Sequence, residues 1–417
     1  VIGLPAGVLP VRDVTTREIL YGSRTTSHRY ELLKHNPATG RDSLIGELDG
    51  VEPGGSLSWS VSARVKKSGS ITVHDLATAA SGMTRIADID LVQVRIRPVL
   101  VIEGLPEQPL GVYVVTASPE AWTATGRTFA VELHDKSTAL DQDAFDTTFV
   151  AEAGLPVLEI VRDIIKSAGE SIVIDGSDTR TLASSLVFPV APETTKLTIV
   201  NDLLKVLDYT ALWVDGVGNF RATPYVRPAD RSIRYAMLND SDGQQLVREL
   251  TDGEESVYSP DFKRDRDSFG VPNIVVAVAT GDGDAEPLTG SWSNDDPACP
   301  YSRLVPDPDN PGEYVRALRR VKVLSGVDVP DFSAEPDPAG ATEAHLSSVA
   351  RQSLIASSSV QAAVSVRCLP LPLELLDAVR FESTPAGVDA RHTVQRVEIP
   401  LRFDELMSVD LQEVIDL

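Results

Sequence analysis

The residues best suited to chemistry in this 417-residue chain are its six histidines, its 61 acidic side chains and two glycine-rich turns. His28, His35, His74, His134, His345 and His392 include no pair at the HExxH spacing that places two imidazoles on one helical face for zinc. His74-Asp75 and His134-Asp135 have the residue types of a metal-binding dipeptide, but each closes a strand pattern, and both read as surface pairs. Gly281-Asp282-Gly283-Asp284 offers carboxylates without the framework and later Glu of a calcium loop, and reads as an exposed acidic loop. Gly216-Val217-Gly218 is a bare GxG between two strand patterns. It lacks the third glycine and the strand-to-helix setting of a dinucleotide site, and no Walker lysine loop or GxSxG elbow occurs. A chain this acidic always contains carboxylate pairs, so abundance is no sign of glycoside hydrolysis, which needs two carboxyls about 5 to 10 Å apart in a cleft. The sequence therefore assigns no catalytic residue, no cofactor and no metal ligand.

Charge and cysteine content narrow the partners. Lys+Arg 38 against Asp+Glu 61 gives a net charge of −23, which argues against gripping nucleic acid by its phosphates. The basic cluster Arg316, Arg319, Arg320 and Lys322 lies beside an acidic stretch and reads as ion-paired or solvated. Cys299 and Cys368 are too few for a disulfide framework or a cysteine zinc site and suit a reducing compartment. The first ten residues contain two prolines and two glycines and look like neither signal peptide nor membrane helix, and no later run is long enough for a membrane span. Trp59 and Trp213 fall in strand patterns. Trp122 and Trp292 sit near loops and are the candidate interface anchors, because a large ring gives much contact area for little lost entropy.

The elements that must position these residues are mostly strands. Over residues 27–143 the hydrophobic period is two, and it is clearest at 56–65, where Leu57, Trp59, Val61, Ala63 and Val65 share one face. Val92, Val94 and Ile96 alternate with Gln93, Arg95 and Arg97, and Ser68-Gly69 reads as a turn. Residues 151–225 change to mixed helix and strand. Pro156 opens a helix with Val157, Ile160, Val161, Ile164 and Ile165 on one face, and Gly169 stops it. A second helix carries Ile199, Val200, Leu203, Leu204 and Leu207 and leads into a hairpin turning at 215–218. Strands return from Arg231, strongest at 271–280. Pro-, Asp- and Gly-rich loops then precede a helix near 342–357 and four closing strands. The fold class expected is α+β, β-rich, with two β-barrel-like domains flanking and interleaved with smaller α+β domains. The first barrel spans 1–148, an α+β domain 149–230, the second barrel 231–290 with 358–417, and a loop-rich insertion with one helix 291–357.

Several of these stretches together resemble the tail hub proteins of bacteriophages, which close the distal end of the tail tube. The helix LLxxLxY at 203–209, the strand with Trp213 and Asp215, the glycine turn and the FxxxPY strand at 220–225 are similar to the central part of that family. So are GVYVVTASPEAW at 111–122 followed by TFAVELHDKSTAL at 128–140, VPN before the strand at 274, and NDDPACPYSR at 294–303. Near the C terminus the family has a Gly before the Asp of a short strand start, where this chain has Leu376 before Asp377, so the turn there is expected to differ. The resemblance covers about residues 113–411.

It implies a structural, non-enzymatic virion protein, assembled in the host cytoplasm and placed at the tail tip. It also implies a homotrimer whose two similar barrels per chain match a hexameric tail tube or distal tail protein. Its other partners would be the tape measure protein and tip or receptor-binding proteins, with genomic DNA passing through unbound. A negative lumen would suit that passage. The alternatives are a cell-wall-degrading enzyme of the tail tip, or a receptor- or carbohydrate-binding tip protein.

Overall fold

The computed structural model describes residues 25–414, apart from 77–79, 81, 125, 240–253, 257–258, 260, 267–270, 281–286, 298, 300, 360–361 and 385. The expected acidic loop at 281–284 and the chain's first ten residues lie outside the described residues.

The N-terminal block holds strands β1 (Thr26–Asn36), β2 (Arg41–Leu48), β3 (Ser56–Ser60), β4 (Lys67–His74), β5 (Met83–Thr84), β6 (Val94–Ile102), β7 (Gln108–Pro109), β8 (Tyr113–Ala117), β9 (Glu120–Thr123) and β10 (Gly126–Asp135). Antiparallel pairing runs β2, β1, β6, β8, β10, β4, β3. The Val51–Val73 bridge brings the segment after β2 back against β4, but no continuously paired closed barrel forms among the described strands. Alternation places Leu57, Trp59, Ile71, Val73, Val131 and Leu133 in the core.

Three details differ from the alternation read in the sequence. Residues 61–65 do not prolong β3; Ser60 N–H donates to the Lys66 carbonyl at 2.8 Å, and the chain turns into β4. Ser68-Gly69 is no turn but part of β4, where a Cβ on Gly69 would lie 2.6 Å from the Ser56 carbonyl oxygen, so the missing side chain lets β3 and β4 meet. Val92 precedes β6 and is exposed, while Arg95, read as solvent-facing, is buried because other elements cover the second face of β6.

Next come α1 (Ser137–Asp141), β11 (Phe149–Ala151), α2 (Val157–Ser167), β12 (Ile172–Ile174), β13 (Leu186–Phe188), α3 (Lys196–Val206), β14 (Trp213–Val214) and β15 (Phe220–Ala222). The apolar stripes of α2 and α3 form one core with Leu212, Val214 and Phe220. β14 and β15 are the expected hairpin, and β12 adds parallel to β15. Gly169, at φ 75°, ends α2, with Glu170 N–H donating to the Ile165 carbonyl at 3.1 Å. Thr195 caps α3 by accepting from Thr198 N–H at 3.3 Å.

The remainder comprises β16 (Ile233–Asn239), β17 (Glu254–Ser256), β18 (Lys263–Arg266), β19 (Ile274–Ala279), β20 (Thr289–Ser293), β21 (Leu304–Pro306), β22 (Tyr314–Arg316), β23 (Val321–Val327), α4 (Pro338–Ser359), β24 (Ala362–Cys368), β25 (Ala378–Ser383), β26 (Val388–Pro400) and β27 (Met407–Glu413). The C-terminal strand block is paired in the order β17, β16, β25, β26, β27, β24, β18. β19, expected in that block, instead pairs with β20 and β23 beneath α4, because Val275 and Ala277 pack on Leu346, Ala350 and Leu354 of that helix.

The two strand blocks are continuous. The first part of β26 pairs with β25, and its last residues, from Arg396↔Ser60 to Pro400↔Ser56, pair with β3. One apolar cluster contains Trp59, Ile71 and Val131 together with Val366, Val397 and Val409. Each such large aliphatic side chain contributes about 1.5–3 kcal/mol when fully buried.

Candidate functional site

Two clusters of buried charged side chains lie where one part of the fold meets another. The first lies between the N-terminal block and the end of α2. Asp42 on β2 accepts from Arg95 Nη1 at 2.9 Å, from Lys136 Nζ at 3.2 Å, and lies 2.9 Å from His35 Nδ1. Glu170, just past α2, pairs with Lys136 at 2.8 Å and with Arg95. Burial opposes ionisation of the Asp42 carboxyl, but the Lys136 and Arg95 charges outweigh it and hold the group below the ordinary carboxylate range. Two glycines permit the approach. A Cβ on Gly40, in the β1–β2 turn, would lie 2.5 Å from the Glu170 carbonyl carbon, and one on Gly169 would lie 2.9 Å from Pro37 Cβ.

The second place joins all three parts. Lys67 on β4 donates from Nζ to Glu374 at 3.0 Å, and its backbone N–H donates to Asp135 at 2.8 Å. Its ammonium also stands 4.2 Å from the centre of the Trp59 ring. Trp59 Nε1 donates to the Tyr113 hydroxyl at 2.9 Å, and that hydroxyl donates to the Leu110 carbonyl at 3.0 Å. Asp377 accepts from Arg234 at 2.8 Å and from Glu374 N–H at 2.8 Å. Burial pushes the Glu374, Asp377 and Asp135 carboxyls up, with the neighbouring cations and hydrogen bonds opposing it. The Gly216-Val217-Gly218 turn lies here as a contact, not a phosphate cradle. Gly111 N–H donates to the Gly216 carbonyl at 3.0 Å, and a Cβ on Gly216 would lie 2.5 Å from the Pro109 carbonyl oxygen.

These carboxylates are already engaged by cations and backbone N–H groups of the fold, so the arrangement can hold elements in place. Of the two His-Asp dipeptides, Asp135 is buried and bound to Ser137 and Lys67, while His74 faces Glu52 at 3.3 Å and Asp75 pairs with Arg85 at 2.9 Å. His345 on α4 is buried, 3.1 Å from Asp208. Among the described residues no three His, Cys, Asp or Glu side chains gather as a metal site would, Cys299 and Cys368 form no disulfide, and no helix is long and apolar enough to cross a membrane.

The two candidate anchors lie on different sheets. Trp122, on the β9–β10 hairpin, is 76% exposed, with the Arg127 guanidinium 5.2 Å from the ring centre. Trp292 on β20 is half-buried against the α4 cluster, under Arg351 at 4.8 Å. Sequence reading missed Asp42, Lys67, Arg95, Lys136, Glu170, Glu374 and Asp377. One signal was present: Arg95 leads into the nearly unbroken apolar run of β6, which marks a strand covered on both faces.

No family model and no curated protein matches the sequence. Solved structures do. The chain is similar to a tail protein from Neisseria meningitidis MC58, with TM-score 0.56 and 12% identity, over 94% of this chain and 97% of that one. It is similar to the 43 kDa tail protein of prophage MuSo2 from Shewanella oneidensis, with TM-score 0.54 and 12% identity, over 92% and 98%. A chain of the lidded Francisella PdpA–VgrG complex aligns with TM-score 0.52 and 7% identity, over 94% of this chain and 53% of its own length. The chain thus has the fold of phage tail proteins, the fold that the tail-hub resemblance of its sequence implies.

Proposed function

We propose that this chain is a structural hub at the distal end of a bacteriophage tail. Three copies surround the DNA exit path, and the two strand blocks of each present near-equivalent patches to a hexameric tail tube or distal tail protein. The domain division proposed with it is a first strand domain over 1–148, an α+β domain over 149–230, and a second strand domain built from segments on either side of the α4 unit. The observation that carries this reading is the β3–β26 ladder with its single apolar cluster, which joins the two strand blocks within a tail-protein fold. Trp122, exposed on a hairpin of the first block, is the proposed anchor between copies. A net charge of −23 per chain favours DNA passing without adhering, given acidic side chains on the inner wall.

A reconstruction of tails carrying this chain tests the reading. Three copies around an axial opening at the distal end are expected. Copies on the tube wall, or copies that enclose no opening, would refute it. Sustained release of sugar or peptide fragments from host peptidoglycan by the purified chain would replace it with the enzymatic reading.

A further inference from the structure

We infer that the outer face and open edge of β23 form a docking strand for an extended, acidic segment of a partner polypeptide. Among the described residues β23 pairs on one side only, with β19, which leaves its other edge open. Alternation turns Lys322 and Leu324 toward α4, where Lys322 Nζ donates to Ser357 Oγ at 3.3 Å and Leu324 joins the helix cluster. Val321 and Val323 therefore project from the opposite face, and both are exposed. Leu318, just before the strand, is 80% exposed. Lys322 and the irregular pairing near Gly326 blunt part of that edge, and the valine face beside them stays uncovered among the described residues.

Charge identifies the occupant. Arg316, on β22, has the Asp295 carboxylate as its charged neighbour, whereas Arg319, two residues before β23, is exposed and makes no ion pair among the described residues, although the acidic turn between β21 and β22 lies close in sequence. That turn binds itself instead, with Asp307 accepting from Asn310 at 2.9 Å and from Asp309 N–H at 2.9 Å. An unpaired guanidinium at Arg319, two residues before the exposed Val321 and four before Val323, fits a strand that alternates apolar and acidic residues. The open ladder and the valines favour a polypeptide over nucleic acid. The inference does not rest on the chain being a hub.

The test uses the full chain and a fluorescein-labelled peptide of about ten residues alternating valine and glutamate, a length matched to one strand. Its counterpart alternates valine and lysine. Saturable binding of the glutamate peptide is expected, with added hydrogen-exchange protection at 321–327. Arg319→Glu and Val323→Asp, each at an exposed position, should weaken it roughly tenfold. Equal binding of both peptides, no binding, or unchanged binding to the two variants would overturn the proposal. So would a fall in oligomeric state caused by Val323→Asp, which would make the occupant a second copy. Tighter, salt-sensitive binding of duplex DNA at the same residues would overturn it too.

Discussion

The two buried charge clusters that lie between parts of the fold hold their neighbours by different means. Between the strand blocks, the Lys67–Glu374 contact accompanies a backbone ladder and a shared apolar cluster, so charge is a minor part of the join. Between the N-terminal block and α2, the Asp42, Arg95, Lys136 and Glu170 network sits where two separate cores meet. Buried ion pairs add little net stability but cost much when one partner is removed. The strand blocks are thus joined by burial, and the α+β part is latched by charge.

Substitutions can break this comparison. Trp59→Ala empties the centre of the shared cluster and should cost about 5 kcal/mol, loosening both strand blocks together in chemical denaturation. Glu170→Ala should cost about 3 kcal/mol by leaving the buried Arg95 and Lys136 to share the single carboxylate of Asp42. Hydrogen exchange should then rise around α2 and β12 while the β3–β26 ladder stays protected. Equal loss of protection in both places would erase the distinction.

Acid should sharpen it. The Asp42 carboxyl is held low, so its contribution is present above the unfolded value of about 3.9 and is lost as pH falls through the folded one. Glu374 and Asp377 are held high, so their burial opposes folding at neutral pH, and that opposition fades as pH falls toward roughly 4. Thermal melts should therefore improve or hold on mild acidification and fail below it. Asp42→Asn should remove the steep acid limb, and Glu374→Gln the gain.

Smaller effects concern the backbone and surface. Leu376, where the hub resemblance has Gly, adopts φ 68° just before β25. Leu376→Gly should stabilise the protein by about 1 kcal/mol, read as a higher Tm, because a side chain in that region is strained. Trp122→Ala should leave stability within about 0.5 kcal/mol, since the ring touches little of its own chain. If the hub reading is right, the same variant should weaken association in sedimentation.

What could be read from sequence followed the local rules. Both middle helices, the stop of the first and the following hairpin were legible because the 3.6 period, Gly169 and the 215–218 turn act within a few residues, whereas the Thr195 cap of the second was not read. The place of Leu376 was legible as a departure from a family pattern, but its backbone was not, since φ 68° is the left-handed conformation that a Gly adopts readily. The partner of β19 was not legible, since a buried apolar strand fits any sheet and only the packing of α4 selects one. Nor were the buried charges, because Asp42 and Glu170 lie 128 positions apart and meet through Arg95 and Lys136.

The shared strand β26 also has a mechanical consequence. Its 13 residues run from Val388, beside β25, to Pro400, beside β3, like a splint laid across a joint. A pull that separates the two strand blocks along this splint must slide several peptide groups past their partners at once. Torque reaching one block would therefore pass to the other along the main chain, with little give between them.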